Sequence, residues 1–241
     1  HIPNFVDLSC RRSARRPPAA HTENVQGGSH VGYLGVLSPR KRVDRVVRAF
    51  ATLVHRHPDR RLTLHLAGEG PLREDLAKLA DGLGVQENVR FHGFVREVAD
   101  FLCTLDLVVL ASEMEGIPRA LMEAMALGRT CLGPRIGGVD ELIEDGRTGY
   151  LFDPDCDSDL VAKMEQVLIG GRFLDSAVIA RHIETRFSAQ RGAERTAEAY
   201  AHLLAAHSAR SRCRRWSVPG DLSRSGVKCD AGGRGDASGH G

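Results

Sequence analysis

The sequence predicts an α/β fold in which a parallel β-sheet is covered by helices on both faces. Segments of strand character alternate with segments whose apolar residues recur at helical spacing, and four such strand–helix units follow one another. Pro71 and Pro118 stand where the first turn of a helix tolerates a residue without an N–H group. At 241 residues, the chain is long enough for one substantial domain with tails.

The four units follow in order along the chain. The first strand is predicted over 31–37, and the helix after it carries an apolar stripe: Val43, Val46, Val47, Phe50, Leu53 and Val54. Strands at 62–67, 89–91 and 107–110 are each followed by a helix, which begins at Pro71, near Val98 and near Ile117, respectively. Two or three further helices are expected, over 157–169, 173–184 and 189–206.

The ends of the chain differ in composition from its middle. Residues 9–30 contain Arg pairs, Pro17-Pro18 and Gly27-Gly28 with few large apolar side chains, which predicts a flexible linker or loop. Folded structure is expected over 31–206, and the Arg-rich and Gly/Ser-rich residues 207–241 are expected to form a disordered tail. The chain opens at His1 without an initiating Met, so further sequence is expected before it.

Composition argues against several classes of protein. The 33 Lys and Arg residues nearly balance the 31 Asp and Glu residues, so no overall field favours nucleic acid as a partner. No apolar run approaches the roughly 18 residues that a membrane span requires. The 6 cysteines form no C-x-x-C pair, which favours a reduced, cytoplasmic setting, and the histidines show no spacing typical of a metal site.

Ligands of open parallel sheets bind beyond the carboxyl ends of the strands, which directs attention to the loops after the predicted strands. The loop after the first strand carries Arg40, Lys41 and Arg42 at the start of a helix, where cations would suit a diphosphate. The alternative is an ordinary solvated loop. No G-x-G-x-x-G follows this strand, which argues against a dinucleotide cofactor.

The loop after the fourth strand brings Glu113 and Glu115 to the same edge, and Gly116 then permits close approach to the amides of a helix start. A polyhydroxy ligand could use these groups. Glu123 lies on that helix at the edge of its apolar stripe. Its ordinary interpretation is a boundary residue paired with Arg119 one turn earlier, and the residues alone leave both interpretations open.

The segment 115–128, EGIPRALMEAMALG, resembles the E-x(7)-E signature of retaining GT-B glycosyltransferases. The segments 137–142 (GGVDEL) and 145–149 (DGRTG) are similar to two that follow this signature in the family, in the same order and with similar spacing. The opening HIPNFVD resembles the start of the family's C-terminal domain, so 1–8 are expected to begin that domain. The resemblance extends to about residue 200, except across 9–30, and implies the Rossmann-like C-terminal half of a GT-B fold.

For the phosphates and the sugar, the resemblance implies a set of roles on the first and fourth loops. Lys41, helped by Arg40, would neutralise the diphosphate, and Glu115 would hold hydroxyls of the donor sugar. The amides of Gly116 and Ile117 would contact sugar or phosphate. Lys41 and Glu115 are therefore the expected catalytic residues.

For the nucleoside, the resemblance implies that Glu123 hydrogen-bonds the ribose hydroxyls and that the backbone near Phe94 and Val95 contacts the base. Gly35, at the end of the first strand, would belong to the donor site. Gly138 would allow the backbone to approach the ligand closely.

The chain departs from the family pattern after Gly35, where many members carry an Arg and this chain has Val36. One phosphate contact would then be missing. Arg40 or Arg42 would have to replace it, or donor binding would be weaker, since a hydrogen bond to a charged group contributes about 1.5–3 kcal/mol.

The implied activity is hexosyltransferase-like: transfer of a sugar from a nucleotide-diphospho-sugar to an acceptor hydroxyl, with retention at the anomeric carbon, in polysaccharide or glycoconjugate biosynthesis. The departing diphosphate would help to deprotonate the acceptor, so no protein nucleophile, metal or cofactor is expected. The acceptor, a saccharide, lipid or small molecule, would sit on an N-terminal domain that the chain lacks. That domain could also associate with a membrane surface.

Two alternatives stay open. Without an N-terminal acceptor domain, the chain would be a nucleotide-sugar-binding fragment with no activity of its own. An ordinary dinucleotide-binding oxidoreductase shares the layered architecture, but it needs a Gly-rich first loop and an acidic residue after the second strand, and Glu69 is poorly placed for that role.

Overall fold

The computed structural model of the protein describes residues 5–6 and 28–213. Its centre is a six-stranded sheet in the order β3-β2-β1-β4-β5-β6, and every pair of neighbouring strands is parallel. The strands are β1 (Ser29–Leu34), β2 (Leu62–Ala67), β3 (Val89–Gly93), β4 (Leu107–Val109), β5 (Thr130–Pro134) and β6 (Tyr150–Phe152). The predicted α/β fold with a parallel sheet is confirmed.

Helices follow the strands along the chain. They are α1 (Val43–Arg56), α2 (Arg73–Gly82), α3 (Val98–Cys103), α4 (Arg119–Ala126), α5 (Gly137–Leu142), α6 (Asp157–Leu168), α7 (Ser176–Arg186) and α8 (Ala189–Cys213). Short 3-10 turns occupy Pro39–Lys41 and Gln86–Asn88. The predicted helices all appear, and α4 begins directly after Pro118, whose extended backbone conformation makes it the N-cap.

Three of these elements are not predicted from the sequence: β5, α5 and β6. β5 reads TCLGP and contains two residues typical of turns, yet all of its residues are buried between neighbouring strands. α5 begins with two glycines, which are poor helix formers. These elements are short, and their packing decides their structure more than their own propensity does.

The predicted boundaries shift at both ends of the domain. β1 begins at Ser29, two residues before the predicted start, and α8 continues to Cys213 instead of ending at 206. Residues 9–27 of the predicted linker and 214–241 of the predicted tail lie outside the described residues. By contacts, the chain divides into two units after Glu198, within α8.

One part of the hydrophobic core lies where α1 packs on the sheet and on α6, and another lies where α4 packs on α7. Val46, Val47 and Phe50 of α1 are fully buried, as the apolar stripe predicts. Burial of one such large side chain stabilises the fold by about 1.5–3 kcal/mol. Arg45, on the same helix, is also buried, and it is neutralised by Asp157 at the start of α6, with 2.6 Å between Nε and Oδ1.

The start of the chain is joined to the segment between α7 and α8. The Val6 amide donates to the carbonyl of Phe187 at 3.0 Å, and the Ala189 amide donates to the carbonyl of Val6 at 3.1 Å. Val6 is buried by this contact. No helix within 28–213 has the length and hydropathy needed to cross a bilayer.

Three imidazole rings form a hydrogen-bonded chain across one face of the sheet. Nδ1 of His30 lies 3.0 Å from Nε2 of His65, and Nδ1 of His65 lies 2.9 Å from Nε2 of His92. One ring donates and the other accepts in each contact, so three neutral rings complete the chain in either direction. Burial, assisted by the neighbouring His30, His92 and Arg90, lowers the pKa of His65 to about 4.

We expect the domain to lose stability as the pH falls from about 7 to about 4. Unfolded His65 takes up a proton near its usual pKa of about 6.5, whereas the folded ring stays neutral until about pH 4. The unfolded state therefore binds more protons in this window and is favoured by acid. Because the ring is partly exposed, we expect a contribution on the order of 1 kcal/mol.

Urea unfolding at pH 7 and pH 4.5 measures this effect. His65→Gln should lose less stability between the two pH values than the wild type does. His55→Gln, which removes an exposed histidine of α1, is the matched control and should keep the wild-type dependence. Equal pH dependence of His65→Gln and the wild type would contradict the assignment.

Candidate donor site

The pairing of β1 with β4 brings the first and fourth loops together. Val31 is in register with Leu107, and Gly32 with Val108, so the carboxyl ends of the two strands lie side by side. The loops are also linked directly, because the Glu113 amide donates to the carbonyl of Arg40 at 3.0 Å. The two stretches that the sequence singles out therefore form one surface.

Lys41 and Glu115 meet on this surface. Nζ of Lys41 lies 2.6 Å from Oε1 of Glu115, and the Lys41 side chain is 32% exposed, against 11% for Glu115. Only the lysine of this pair is open to solvent, so the pair is stronger than an ion pair between two exposed side chains, which contributes about 0–1 kcal/mol. A ligand that offers an anion to the lysine and hydroxyls to the carboxylate can replace both halves of the pair.

A cavity of about 280 Å³ opens beside this pair and is lined by Ser38, Arg40, Lys41, Met114, Glu115 and Gly116. Nη2 of Arg40 lies 3.6 Å from the sulfur of Met114. The cavity therefore has two cations on one loop and a carboxylate on the other. Ser38 and Met114 are lining residues that the motifs do not indicate.

The backbone behind the cavity is packed closely. A Cβ on Gly138 would overlap the carbonyl group of Gly116 and lie 2.6 Å from the nitrogen of Ile117, so α5 can approach this loop only with glycine there. A Cβ on Gly116 itself would meet nothing within 4 Å. The close contact that the structure shows at Gly138 is between two backbones and supports the Gly116 loop, while the approach of a ligand to Gly138 stays a prediction.

Tyr33 supports the first loop from below. Its hydroxyl is fully buried and donates to the carbonyl of Val36 at 2.9 Å, and the Gly35 amide donates to the carbonyl of Ala67 at 2.9 Å. Burial, with a smaller effect of the Glu115 charge, raises the pKa of Tyr33, so the phenol remains a donor. Val36 itself is 57% exposed and offers no cation.

The residues predicted for the nucleoside lie outside the lining of this cavity. Glu123 is 20% exposed on α4 and lies 3.4 Å from Arg119, the ordinary partner that the sequence suggests. Phe94 is 71% exposed in the loop after β3, and Val95 is partly buried. That loop is joined to the loop after β2, where the Gly68 amide donates to the carbonyl of Gly93 at 2.7 Å.

Arg42 has an unusual backbone. Its φ of 47° makes it the one non-glycine residue with positive φ in the described chain. A side chain in this region costs about 1–2 kcal/mol relative to glycine. Its guanidinium contacts Asp44 at 3.3 Å and Glu113 at 3.0 Å, and these carboxylates, Asp44 first, raise the pKa of Arg42. Arg42 is thus already engaged, whereas Arg40 faces the cavity.

A larger hollow of about 660 Å³ lies between the starts of α1 and α2. Leucines of α2 and exposed charged side chains line it, and it shares Arg40 with the smaller cavity. Lys41 and Glu115 are absent from its lining. We therefore place the candidate site in the smaller cavity. No group of three or more His, Cys, Asp or Glu side chains within the described residues is arranged to hold a metal ion.

Comparison with known proteins identifies the family. Residues 28–169 match the sequence profile described as glycosyl transferases group 1. The chain belongs to this family. It is 42% identical over 113 residues to N-acetyl-alpha-D-glucosaminyl L-malate synthase of Bacillus anthracis, covering 47% of this chain and 29% of that protein. It is 31% identical over 193 residues to D-inositol 3-phosphate glycosyltransferase of Streptomyces avermitilis, covering 75% and 41%.

Solved structures agree on the fold. Anabaena Alr3699/HepE in complex with UDP and glucose is similar with a TM-score of 0.70 at 22% identity, over 83% of this chain and 56% of that one. TarM of S. aureus is similar with a TM-score of 0.70 at 24% identity, over 82% of this chain and 38% of TarM. The predicted resemblance to GT-B glycosyltransferases is confirmed, and this chain spans less than half the length of the two curated relatives named above.

The contact at Gly138 yields a paired test. Gly138→Ala should lower the free energy of unfolding by about 1–3 kcal/mol, because the added methyl group forces α5 away from the Gly116 loop. Gly116→Ala, in open space, should leave stability close to that of the wild type. Urea titration of both variants measures the difference. Equal losses would show that the two backbones are not in close contact.

Proposed function

We propose that the chain is the donor-binding portion of a glycosyltransferase, which transfers a sugar from a nucleotide-diphospho-sugar to an acceptor hydroxyl with retention at the anomeric carbon. The observation that carries this proposal is the Lys41–Glu115 pair at the mouth of the cavity, 2.6 Å apart. One partner suits a diphosphate and the other suits sugar hydroxyls. Membership of the glycosyl transferases group 1 family supports the assignment.

Donor binding, on this proposal, replaces one ion pair with two sets of contacts. Lys41 turns to the diphosphate, and the released Glu115 accepts hydrogen bonds from hydroxyls of the sugar. Many family members are expected to have an arginine where this chain has Val36, and Arg40 supplies the second cation in its place. Arg40 lines the cavity, whereas the side chain of Arg42 is held by two carboxylates. The open side of Gly116 leaves room for the ligand to approach the amides of Gly116 and Ile117.

The nucleoside would extend away from the cavity along the sheet edge. Glu123 would turn from Arg119 to the ribose hydroxyls, and the backbone around Phe94 and Val95 would contact the base. The cavity, with a volume of about 280 Å³, has room for the diphosphate and the sugar but not for a complete nucleotide-sugar, because sites for ligands as large as a nucleotide-sugar are larger. The complex of the similar Anabaena protein contains UDP and glucose, which makes a uridine diphosphate sugar the first donor to test.

The chemistry would depend on charge stabilisation. As the bond between the anomeric carbon and the diphosphate breaks, negative charge grows on the leaving oxygen, and Lys41 and the nearby amides would stabilise it. That oxygen would take the proton of the acceptor hydroxyl on the same face of the sugar, which accounts for retention. We propose no protein nucleophile, no metal and no cofactor.

The acceptor would be held by a second domain. The names of two relatives specify L-malate and D-inositol 3-phosphate, both anions, so a small anionic acceptor is a class to test first. The alternative is a donor-binding fragment without turnover, because the chain covers only 29% and 41% of those relatives. Turnover of a nucleotide-sugar by the 241 residues alone would exclude this alternative; binding without turnover would support it.

Glu115→Gln should change the preference of the site. Removal of the carboxylate frees Lys41 for the diphosphate but weakens acceptance from sugar hydroxyls. The ratio of affinities for UDP-glucose and UDP should therefore fall by about tenfold, the equivalent of one lost charged hydrogen bond. Isothermal titration calorimetry with both ligands measures the ratio. Glu87→Gln, an exposed neutralisation remote from the site, is the control, and an unchanged ratio in Glu115→Gln would exclude the sugar-binding role.

Glu123→Ala should abolish binding of the nucleotide-sugar while the fold, followed by circular dichroism and urea unfolding, is retained. Two hydrogen bonds from the ribose would be lost, which corresponds to at least about a hundredfold in affinity. Arg119→Ala removes only the 78%-exposed partner of Glu123 and is the matched control. Wild-type affinity in Glu123→Ala would return this residue to the role of an ordinary helix-edge carboxylate.

A further inference from the structure

Arg42 joins the two loops of the site at a strained position. It is both the C-cap of the 3-10 turn Pro39–Lys41 and the N-cap of α1. Its φ of 47° lies in the left-handed region of backbone conformation. Glycine would occupy this conformation without strain. A strained backbone that a protein retains points to a role for the side chain placed there.

Four contacts join the first and fourth loops. Two involve the cavity directly: the Lys41–Glu115 ion pair at 2.6 Å and the contact of Arg40 with the sulfur of Met114 at 3.6 Å. The other two lie just outside it: the Glu113 amide with the carbonyl of Arg40 at 3.0 Å, and the Arg42–Glu113 ion pair at 3.0 Å. The described residues show no other side-chain ion pair between these loops.

A bound donor would use Lys41, Arg40 and Glu115, so the two cavity contacts would be exchanged for contacts with the ligand. The Arg42–Glu113 pair takes no part in that exchange, because neither side chain lines the cavity. Asp44, in the first turn of α1, holds the other side of the guanidinium through Nε at 3.3 Å. The arginine is therefore fixed at the start of α1 while it holds the fourth loop.

We propose that Arg42 is a positioning residue whose ion pair with Glu113 keeps the fourth loop against the first loop while Lys41 and Glu115 separate around the donor. The proposal rests on the proposed function and names a further residue on which the donor site depends. A loop held in its binding position loses less conformational freedom when the ligand binds, and affinity rises accordingly.

Because Arg42 is strained, its replacement by glycine should affect stability and donor affinity differently. Arg42→Gly removes the ion pair and the backbone strain together, so the free energy of unfolding should stay equal or increase while the affinity for donor falls. A merely structural ion pair would leave the affinity for donor unchanged, because relief of strain keeps the Arg42→Gly variant folded in either case. Stability and binding therefore separate the two roles in one variant.

The test measures urea midpoints and UDP-glucose affinity of the 241-residue chain for the wild type, Arg42→Gly, Glu113→Gln and the double variant. We expect each single variant to weaken UDP-glucose binding about fivefold to tenfold, and the double variant to be no weaker than either, because both remove one interaction. The urea midpoint of Arg42→Gly should equal or exceed that of the wild type. Arg42→Ala should weaken binding equally but lower the midpoint, since alanine keeps the strain.

Arg56→Ala is the matched control, because it removes an exposed arginine that is also paired with a glutamate, 3.3 Å away at the far end of α1. It should leave the affinity unchanged. A lower midpoint in Arg42→Gly, or wild-type affinity in Arg42→Gly and Glu113→Gln, would overturn the proposal. Failure of the wild type itself to bind any nucleotide-sugar would instead refute the proposed function.

Discussion

The parallel pairing of β1 with β4 is the constraint on which the rest of the site depends. From β1 the chain runs outwards to β2 and β3 and then returns to the opposite side of β1 at β4. Because crossovers between parallel strands are right-handed, the helices that follow β1 and β4 lie on opposite faces of the sheet. Their first turns diverge and leave a crevice between the two loops. Gly32 permits the pairing, since a Cβ there would overlap the side chain of Leu105.

Within that crevice, charges of opposite sign neutralise one another. The cations come from the loop after β1 and the carboxylates from the loop after β4, so the same residues that would bind a donor also hold the loops together without one. Ion pairs at a surface are weak enough to be exchanged for ligand contacts. Only the Lys41–Glu115 pair lies at the cavity, where its contacts can be exchanged for contacts with a ligand. The Arg42–Glu113 pair lies outside the cavity and is anchored to α1 through Asp44.

Family membership gives this arrangement its context. The chain matches the glycosyl transferases group 1 profile over 28–169, which includes both loops and extends through α6. The family resemblance suggests an arginine at position 36, where an exposed valine stands instead. The nearby Arg40 lines the cavity and offers an alternative cation four residues later. The backbone of this loop is held by the buried hydroxyl of Tyr33, which donates to the carbonyl of Val36.

The sequence by itself determined the fold class, the first four strand–helix units and the family. Strand and helix periodicity is a local property, and the segment 115–128 is specific enough to indicate the family without coordinates. It also indicated Lys41 and Glu115, although it could not show that they touch. β5, α5 and β6 escaped prediction because they are short segments, two of them with glycine, and they adopt their structures through burial. Only the tertiary structure decided between Arg40 and Arg42 as the cation facing the cavity, and it alone showed that Gly138 supports the backbone at Gly116. These contacts join residues far apart in the chain, and their distances depend on how the loops meet at the sheet edge, which no local pattern records.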